Sequence, residues 1–327
     1  MSLIGFIAAL CVANRPRFWL QERFCSLALY WLPLAVIACG WVLFQIVKRR
    51  KSRSWSAVLA FVCYTYCVVF AVSCLWPYAH FRGFNHSSDE RGFSLSGLWI
   101  DRWSPHERLV DVQQLILRRK PTLVVFSGYL SEGLDDYAHR AVTASLENGG
   151  IRILSQIPIA SQQIDQLGLE SFPGGVFTLQ PPSGPAIEVG VMALKPSMSQ
   201  EIFERNRITA RRLSSLMRNS SAPRLVAAEF ATTPFSSFVS VYSEQAKLRS
   251  LMFGQGLLKT FNLESPLALS NDSNVFVSRD FEPVVFERII LPGRERSVLY
   301  FEVRVSPLLH AGIKSSVVDA RIWKGLL

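Results

Sequence analysis

The sequence predicts an α/β domain behind a short membrane anchor, and two observations carry this prediction. The first is a pair of long apolar runs without a charged residue, Ser26 to Val47 and Ser54 to Phe81, in a chain of 327 residues. The second is the alternation of short apolar strand patterns with amphipathic helix patterns in the rest of the chain, which is typical of α/β folds. One membrane part and one globular part together explain a hydrophobic content of 49%.

The anchor is predicted over residues 1–79, with transmembrane helices at about residues 26–47 and 54–79. Each run is long enough, because about 20 apolar residues cross a bilayer. The loop at residues 48–53 carries five Lys or Arg in six positions, and the positive-inside tendency places it in the cytoplasm. Everything after the second helix is then exported. A shorter apolar segment, residues 3–13, either crosses the membrane or lies at its surface.

The positive charge of the chain is concentrated in the anchor. The net charge is +10, but residues 1–78 hold 8 Lys or Arg against 1 acid, which leaves 27 against 24 for residues 79–327. A nucleic-acid partner is therefore not expected, because nucleic-acid binding usually requires a basic surface. All six cysteines also lie in the anchor, where they are interpreted as small apolar packing residues.

Beyond the anchor, residues 80–91 are polar and rich in turn formers and are predicted to be a linker. The globular domain is predicted over residues 92–305, followed by a tail at residues 306–327 that packs either on the domain or on the membrane surface. Helices are expected from the capping pattern at residues 104–107 to Arg119, at about residues 200–218, and after Thr233 and Pro234. Strands are expected at residues 93–100, 122–127, 151–154, 175–179, 187–192, 225–230, 274–278, 284–291 and 298–305.

One segment carries a family resemblance. An apolar run starting at Arg224 delivers Glu229 to a strand end, followed by Ala231 and a Thr-Thr-Pro helix start. This pattern resembles the Gly-Asp-Phe-Asn-x-x-Pro signature of the endonuclease/exonuclease/phosphatase superfamily, with Glu229 at the Asp position and Ala231 at the Asn position. The order of elements is similar to that of membrane-anchored bacterial members. The resemblance implies a four-layer sandwich of two β-sheets flanked by helices, held at the bacterial inner membrane and facing the periplasmic or extracellular side.

Members of that family hold a divalent cation, usually Mg²⁺, at the mouth of the sandwich, where an Asp-His pair activates water. The resemblance implies that most of the required side chains are replaced here. The replaced positions are Ser127 and Gly128 for Gln-Glu, Ala193 or Leu194 for a His, Ser273 and Asn274 for Asp-His, Arg294, Glu295 and Arg296 for Ser-Asp-His, and Gly97 or Leu98 for an early Asn. We therefore expect no catalytic residue, no bound metal and no cofactor, because the members of such a set act together.

Three carboxylates remain candidates for binding a cation. Glu229 either binds a cation or satisfies backbone N–H groups at the following helix start. Asp272 lies in an Asn-Asp-Ser-Asn sequence that also has an ordinary turn composition. Glu295 is flanked by Arg294 and Arg296, and such a triplet is usually a solvated charge cluster. The basic series at Arg205, Arg207, Arg211 and Arg212 either attracts phosphates or lipid headgroups or forms a solvated helix face.

These observations favour a membrane-anchored pseudoenzyme whose partners are membrane lipid and another envelope or membrane protein. The alternative is an active phosphodiester or phosphomonoester hydrolase with a rearranged site that uses Glu229, Asp272, Glu295 and Mg²⁺. That alternative predicts that the three carboxylates lie about 4 to 6 Å from one another.

Overall fold

The structure is a computed structural model that describes residues 93–103, 109–128, 137–142, 150–163, 174–196, 199–230, 237–253, 255, 273–294 and 296–305, together with scattered helical positions between residues 36 and 69. The linker at 80–91, the tail at 306–327 and most of the two apolar runs lie outside these residues. Within the described part of the chain, no helix combines the length and the apolar character that a membrane crossing needs.

The described domain contains twelve strands. They are β1 Ser94–Trp103, β2 Leu123–Gly128, β3 His139–Val142, β4 Gly150–Ser155, β5 Ile159–Gln163, β6 Gly174–Leu179, β7 Ile187–Ala193, β8 Arg224–Glu229, β9 Arg249–Ser250, β10 Ser273–Val277, β11 Phe281–Ile290 and β12 Ser297–Val305. Sheet 1 has the order β11-β12-β1-β2-β4-β3, and sheet 2 has the order β5-β6-β7-β8-β10-β9. Both sheets are mixed, since β1 and β2 are parallel in one, β7 and β8 are parallel in the other, and the other pairs are antiparallel.

Three described helices cover the outer faces. They are α1 Leu109–Arg119, α2 Gln200–Asn219 and α3 Ser237–Ala246. Helix α2 begins after an extended Ser199, whose Oγ accepts a hydrogen bond from the Ile202 amide at 3.3 Å, as an N-cap residue should. Helix α1 is followed by Lys120 in a left-handed conformation with φ 46° and then by Pro121, which together end it.

Strand alternation divides the apolar side chains among three cores. On β1, Leu95 and Trp99 point between the sheets, whereas Leu98 and Ile100 point outward toward α1. The inner core joins the two sheets, one outer core lies under α1, and another lies under α2 and α3. The described residues therefore form four layers, helix, sheet, sheet and helices, as the family resemblance implies.

Candidate functional site

Strand ends that carry several of the predicted site residues lie at one rim of the sandwich. In sheet 2, Glu229 ends β8, pairs with Ala193 at the end of the parallel β7, and pairs with Ser273 at the start of the antiparallel β10. In sheet 1, Gly128 at the end of β2 pairs with Trp103 at the end of the parallel β1. Parallel strands that end together and antiparallel strands that begin there bring residues distant in sequence to the same edge.

Alternation then selects which rim residues face the space between the sheets. Leu225 and Ala227 belong to the inner core, so Glu229 faces inward, and Val275 places Ser273 inward in the same way. By the same argument the inward positions at the ends of β1, β2 and β7 are Asp101, Ser127 and Ala193.

Asp101 is the acceptor at the centre of this rim. Its Oδ2 accepts hydrogen bonds from Ser273 Oγ at 2.5 Å and from Arg296 Nη1 at 2.9 Å. Arg294 Nη2 donates to the main-chain oxygen of Asp101 and lies 3.4 Å from its Oδ1. Both arginines lie between β11 and β12, at the start of the last strand. The side chain of Asp101 is thus bonded to donors from both sheets.

Arg296 also reaches Glu229. Its Nη1 lies 3.5 Å from Glu229 Oε1, so one nitrogen contacts a carboxylate of sheet 1 and a carboxylate of sheet 2. We call Asp101, Glu229, Ser273, Arg294 and Arg296 the rim cluster. It contains two carboxylates and two guanidinium groups, so its formal charge is zero.

The rim cluster is removed from solvent. Asp101, Glu229 and Ser273 are 0% exposed, and Arg294 and Arg296 are 6% and 8% exposed. Charges at this depth require partners, because the effective desolvation penalty of an unpaired buried ion is several kcal/mol. Each charge here faces an opposite charge, which explains how the fold tolerates four of them.

This donor set is unlike a divalent-cation site. Hard cations prefer several free oxygen ligands, often from carboxylates, whereas the inward ends of β2 and β7 carry only Ser127 and Ala193. Both carboxylates of the rim cluster receive guanidinium hydrogens. Among the described residues, no group of three or more His, Cys, Asp or Glu side chains comes together as metal ligands.

Of the other positions predicted from the sequence, some lie at the rim and some do not. Gly128 ends β2 with φ 106°, a conformation that favours glycine. Asn274 is fully buried, but it faces the outer side of sheet 2, where its Oδ1 accepts from Ser250 Oγ at 2.6 Å. Both Ser273 and Asn274 lie in β10, so the turn interpretation is wrong for them. Ala231, Asp272 and Glu295 lie outside the described residues.

One interpretation from the sequence is wrong at the rim. The arginines that flank Glu295 are buried, not solvated, because Asp101 and Glu229 neutralise them. Gly97 and Leu98, to which the resemblance assigns the early Asn, lie in the middle of β1 and not at the rim, and a Cβ at Gly97 would meet the ring of Phe301. The strand continues to Trp103, and Asp101 is the residue it delivers to the rim.

The position of Asp101 could have been inferred from strand parity. Leu95, Gly97, Trp99 and Asp101 share one face of β1, and an acid that follows inward apolar residues at a strand end is a candidate site residue. For Glu229 the structure shows an ion pair with Arg296.

His139 lies far from this rim. It starts β3 and pairs with Ser155, which in turn pairs with Leu123 at the beginning of β2. Because β2 reaches the rim only at its other end, His139 belongs to the opposite end of sheet 1. Of the described residues, it is the only histidine.

Solved structures with the same arrangement of two sheets and flanking helices identify the fold. An endonuclease/exonuclease/phosphatase from Beutenbergia cavernae aligns with a TM-score of 0.52 and 14% identity, over 65% of this chain and 72% of that one. The described domain has the endonuclease/exonuclease/phosphatase fold. An endonuclease/exonuclease/phosphatase from Bacteroides vulgatus aligns with a TM-score of 0.53 and 12% identity, over 65% of this chain and 100% of that one.

The human Nocturnin catalytic domain with bound sulfate anion shares the endonuclease/exonuclease/phosphatase fold as well, with a TM-score of 0.51 and 13% identity over 65% of this chain and 94% of that one. No protein-family model and no curated protein sequence matches the chain. At these identities the similarity establishes the fold, and the chemistry has to be argued from the rim itself.

Proposed function

We propose that the chain is a membrane-anchored protein with an endonuclease/exonuclease/phosphatase fold that does not hydrolyse phosphoesters and serves as an interaction or structural subunit at the bacterial cell envelope. The observation that carries this proposal is the rim cluster. Its charges neutralise one another and are buried, whereas hydrolysis of a phosphoester requires groups that bind the phosphate, stabilise its charge and activate water.

The chemistry of the described rim supports this proposal in two ways. A general base for water must lie within hydrogen-bond reach of the water it activates. The described rim has no histidine, and His139 is at the other end of sheet 1. The carboxylates of Asp101 and Glu229 accept hydrogen bonds from Arg296, so the oxygens that face the rim are already engaged by a guanidinium group.

The membrane anchor is supported by the two charge-free runs and by the described helical positions within them. Seven large apolar side chains there are exposed, namely Val36, Ile37, Trp41, Phe44, Val62, Tyr66 and Val69, at 42% to 68%. Exposed apolar side chains on helices indicate a lipid or protein environment. We infer that membrane lipid covers this surface and that the basic loop at residues 48–53 lies in the cytoplasm.

The partner is inferred to be another protein of the envelope or membrane, because the exported part is nearly neutral in net charge, which does not favour nucleic acid. Without hydrolysis, binding is the role that such a retained scaffold can still serve. No cofactor is needed for that role.

Hydrolysis assays test the absence of activity. The full chain, purified in detergent, is assayed on a phosphodiester and a phosphomonoester with Mg²⁺ and with Mn²⁺, beside Glu229→Ala prepared in the same way. We expect wild type and variant to be indistinguishable from buffer. Turnover by wild type that is lost in Glu229→Ala would show the alternative, a metal-dependent hydrolase with a rearranged site that includes Glu229.

Topology reporters test the anchor. A periplasm-dependent reporter fused after residue 305 should be active, and a cytoplasm-dependent reporter at the same site should be silent, with the reverse result for fusions in the loop at residues 48–53. The opposite pattern would place the domain in the cytoplasm and remove the envelope role. Co-purification from native membranes, with a partner in constant molar ratio, then addresses the subunit role.

A further inference from the structure

We propose that Arg296 serves as a built-in cation, in the place where a divalent metal ion would otherwise join the two sheets, so that removing its charge turns Asp101 and Glu229 into a divalent-cation site. The inference rests on the proposed function, because a native metal site at this rim would leave no position for the guanidinium group. It concerns what holds the rim together and what ligand the rim is able to accept.

The contacts of a single nitrogen support this role. Arg296 Nη1 carries two hydrogens and has two carboxylate oxygens within reach, Asp101 Oδ2 at 2.9 Å and Glu229 Oε1 at 3.5 Å. One of these carboxylates belongs to β1 of sheet 1 and the other to β8 of sheet 2. A positive centre bonded to oxygens of both sheets is the arrangement that a bridging metal ion would also produce.

Replacing Arg296 would remove its contacts with Asp101 Oδ2 and Glu229 Oε1. Arg294 approaches Asp101 through Oδ1 and the main-chain oxygen, and it remains bonded there. Asp101 Oδ2, Glu229 Oε1 and the hydroxyl of Ser273, which lies 2.5 Å from Asp101 Oδ2, are then oxygen ligands in one buried place. Oxygen ligands of this kind suit Mg²⁺ and Mn²⁺.

The charge of the rim cluster also favours a divalent cation once the Arg296 guanidinium is removed. With Arg296 neutralised, the rim cluster holds two carboxylates and one guanidinium group, a net charge of −1 at a site less than a tenth exposed. A buried excess of negative charge destabilises the fold and favours any cation that can enter. In wild type the guanidinium is covalently held at the site, so a dissolved cation has to displace a permanent competitor.

The test uses Arg296→Gln, because glutamine keeps a hydrogen-bonding side chain and adds an amide oxygen as a further ligand. Arg211→Gln is the matched control, since Arg211 is exposed on α2 and the substitution removes the same charge. The full chain in detergent is titrated with Mn²⁺, and the loss of the electron paramagnetic resonance signal of free Mn²⁺ reports binding. Thermal unfolding, followed by tryptophan fluorescence, reports the effect on stability.

We expect Arg296→Gln to bind about one Mn²⁺ and its Tm to rise by roughly 5 °C or more near saturation. Wild type and Arg211→Gln should show neither effect. The double variant Arg296→Gln/Asp101→Asn should lose the Mn²⁺ effect, because one of the two bridging carboxylates is gone.

Three results would overturn the inference. The first is Mn²⁺ bound by wild type and lost in Glu229→Gln, and the second is an Arg296→Gln protein that folds but binds no Mn²⁺. The third is an Arg296→Gln protein that stays unfolded at every Mn²⁺ concentration, because a bridging cation would supply the missing charge. Phosphoester turnover by wild type would instead contradict the proposed function, so the two failures are distinguishable.

Discussion

Replacing Asp101 by Asn removes one negative charge from the rim cluster and leaves the shape of the side chain almost unchanged. Asp101 accepts hydrogen bonds from Ser273 and Arg296 and lies beside Arg294, at 2.5, 2.9 and 3.4 Å. The amide of Asn keeps one acceptor oxygen and presents N–H donors where the second oxygen was. Within the rim cluster, two buried guanidinium groups then face one carboxylate, that of Glu229.

The size of the effect follows from this loss. Removing one member of a buried ion pair usually destabilises a protein by about 3–5 kcal/mol, because the remaining charge is left uncompensated. For a domain of this size the Tm should fall by roughly 10 °C. The assay is denaturant unfolding of the full chain in detergent at neutral pH, followed by tryptophan fluorescence.

Two controls separate charge from shape in the Asp101→Asn experiment. Ser273→Ala removes one hydrogen bond of the same cluster and should cost about 1–2 kcal/mol. Glu201→Gln makes the same carboxylate-to-amide change on the exposed face of α2, where Glu201 pairs with Arg205 at 2.6 Å, and should stay within about 0.5 kcal/mol of wild type. A loss below about 1 kcal/mol for Asp101→Asn would refute the reasoning, because the carboxylate would then not be needed to neutralise the arginines.

Two further predictions concern the cores. At Gly97 a Cβ would lie 2.2 Å from Phe301 Cζ, so Gly97→Ala should lower the free energy of unfolding by about 1–3 kcal/mol. Adding Phe301→Leu should restore part of this loss. If the denaturation midpoint does not recover in the double variant, the ring of Phe301 is not the obstacle. Burial raises the pKa of Tyr242, whose hydroxyl has no hydrogen-bond partner among the described residues. As pH rises past about 10, the unfolded chain releases the Tyr242 proton before the folded protein does, so the free energy of unfolding falls. Tyr242→Phe should reduce this alkaline loss, measured by unfolding curves at several pH values. If the free energy of unfolding falls as steeply with pH in the variant as in wild type, the buried Tyr242 hydroxyl is not the cause.

The central strands could be predicted from the sequence because a four-layer sandwich buries both faces of them. Runs such as residues 122–127 and 225–230 are then almost continuously apolar, and the observed β2 and β8 differ from the predicted bounds by one residue at each end. The strands β3, β5 and β9 were not predicted. They are edge strands of four, five and two residues, and their sequences are largely polar, so neighbouring strands define them more than their own pattern does.

The rim could be predicted only in part. Glu229 was expected at a strand end, and the register places it opposite Ser273. The burial of Arg294 and Arg296 could not be inferred from the sequence. Their partner Asp101 is 193 and 195 residues away from them along the chain. A local charge pattern indicates solvent exposure unless its partners are known, and here tertiary pairing determines the outcome.

The pairing of β1 with β12 has a consequence for folding during synthesis. Strand β1 lies between β2 and β12, with Leu95 opposite Val303, so a chain emerging from the ribosome has an open β1 edge until β12 has been synthesised. The counter-ions of Asp101 arrive with that same terminal segment. Such high contact order slows folding, and this sheet cannot be completed before β12 is available. A nascent chain truncated before β12 would therefore expose both an unpaired strand and an uncompensated acid, which are features that quality-control proteases can recognise.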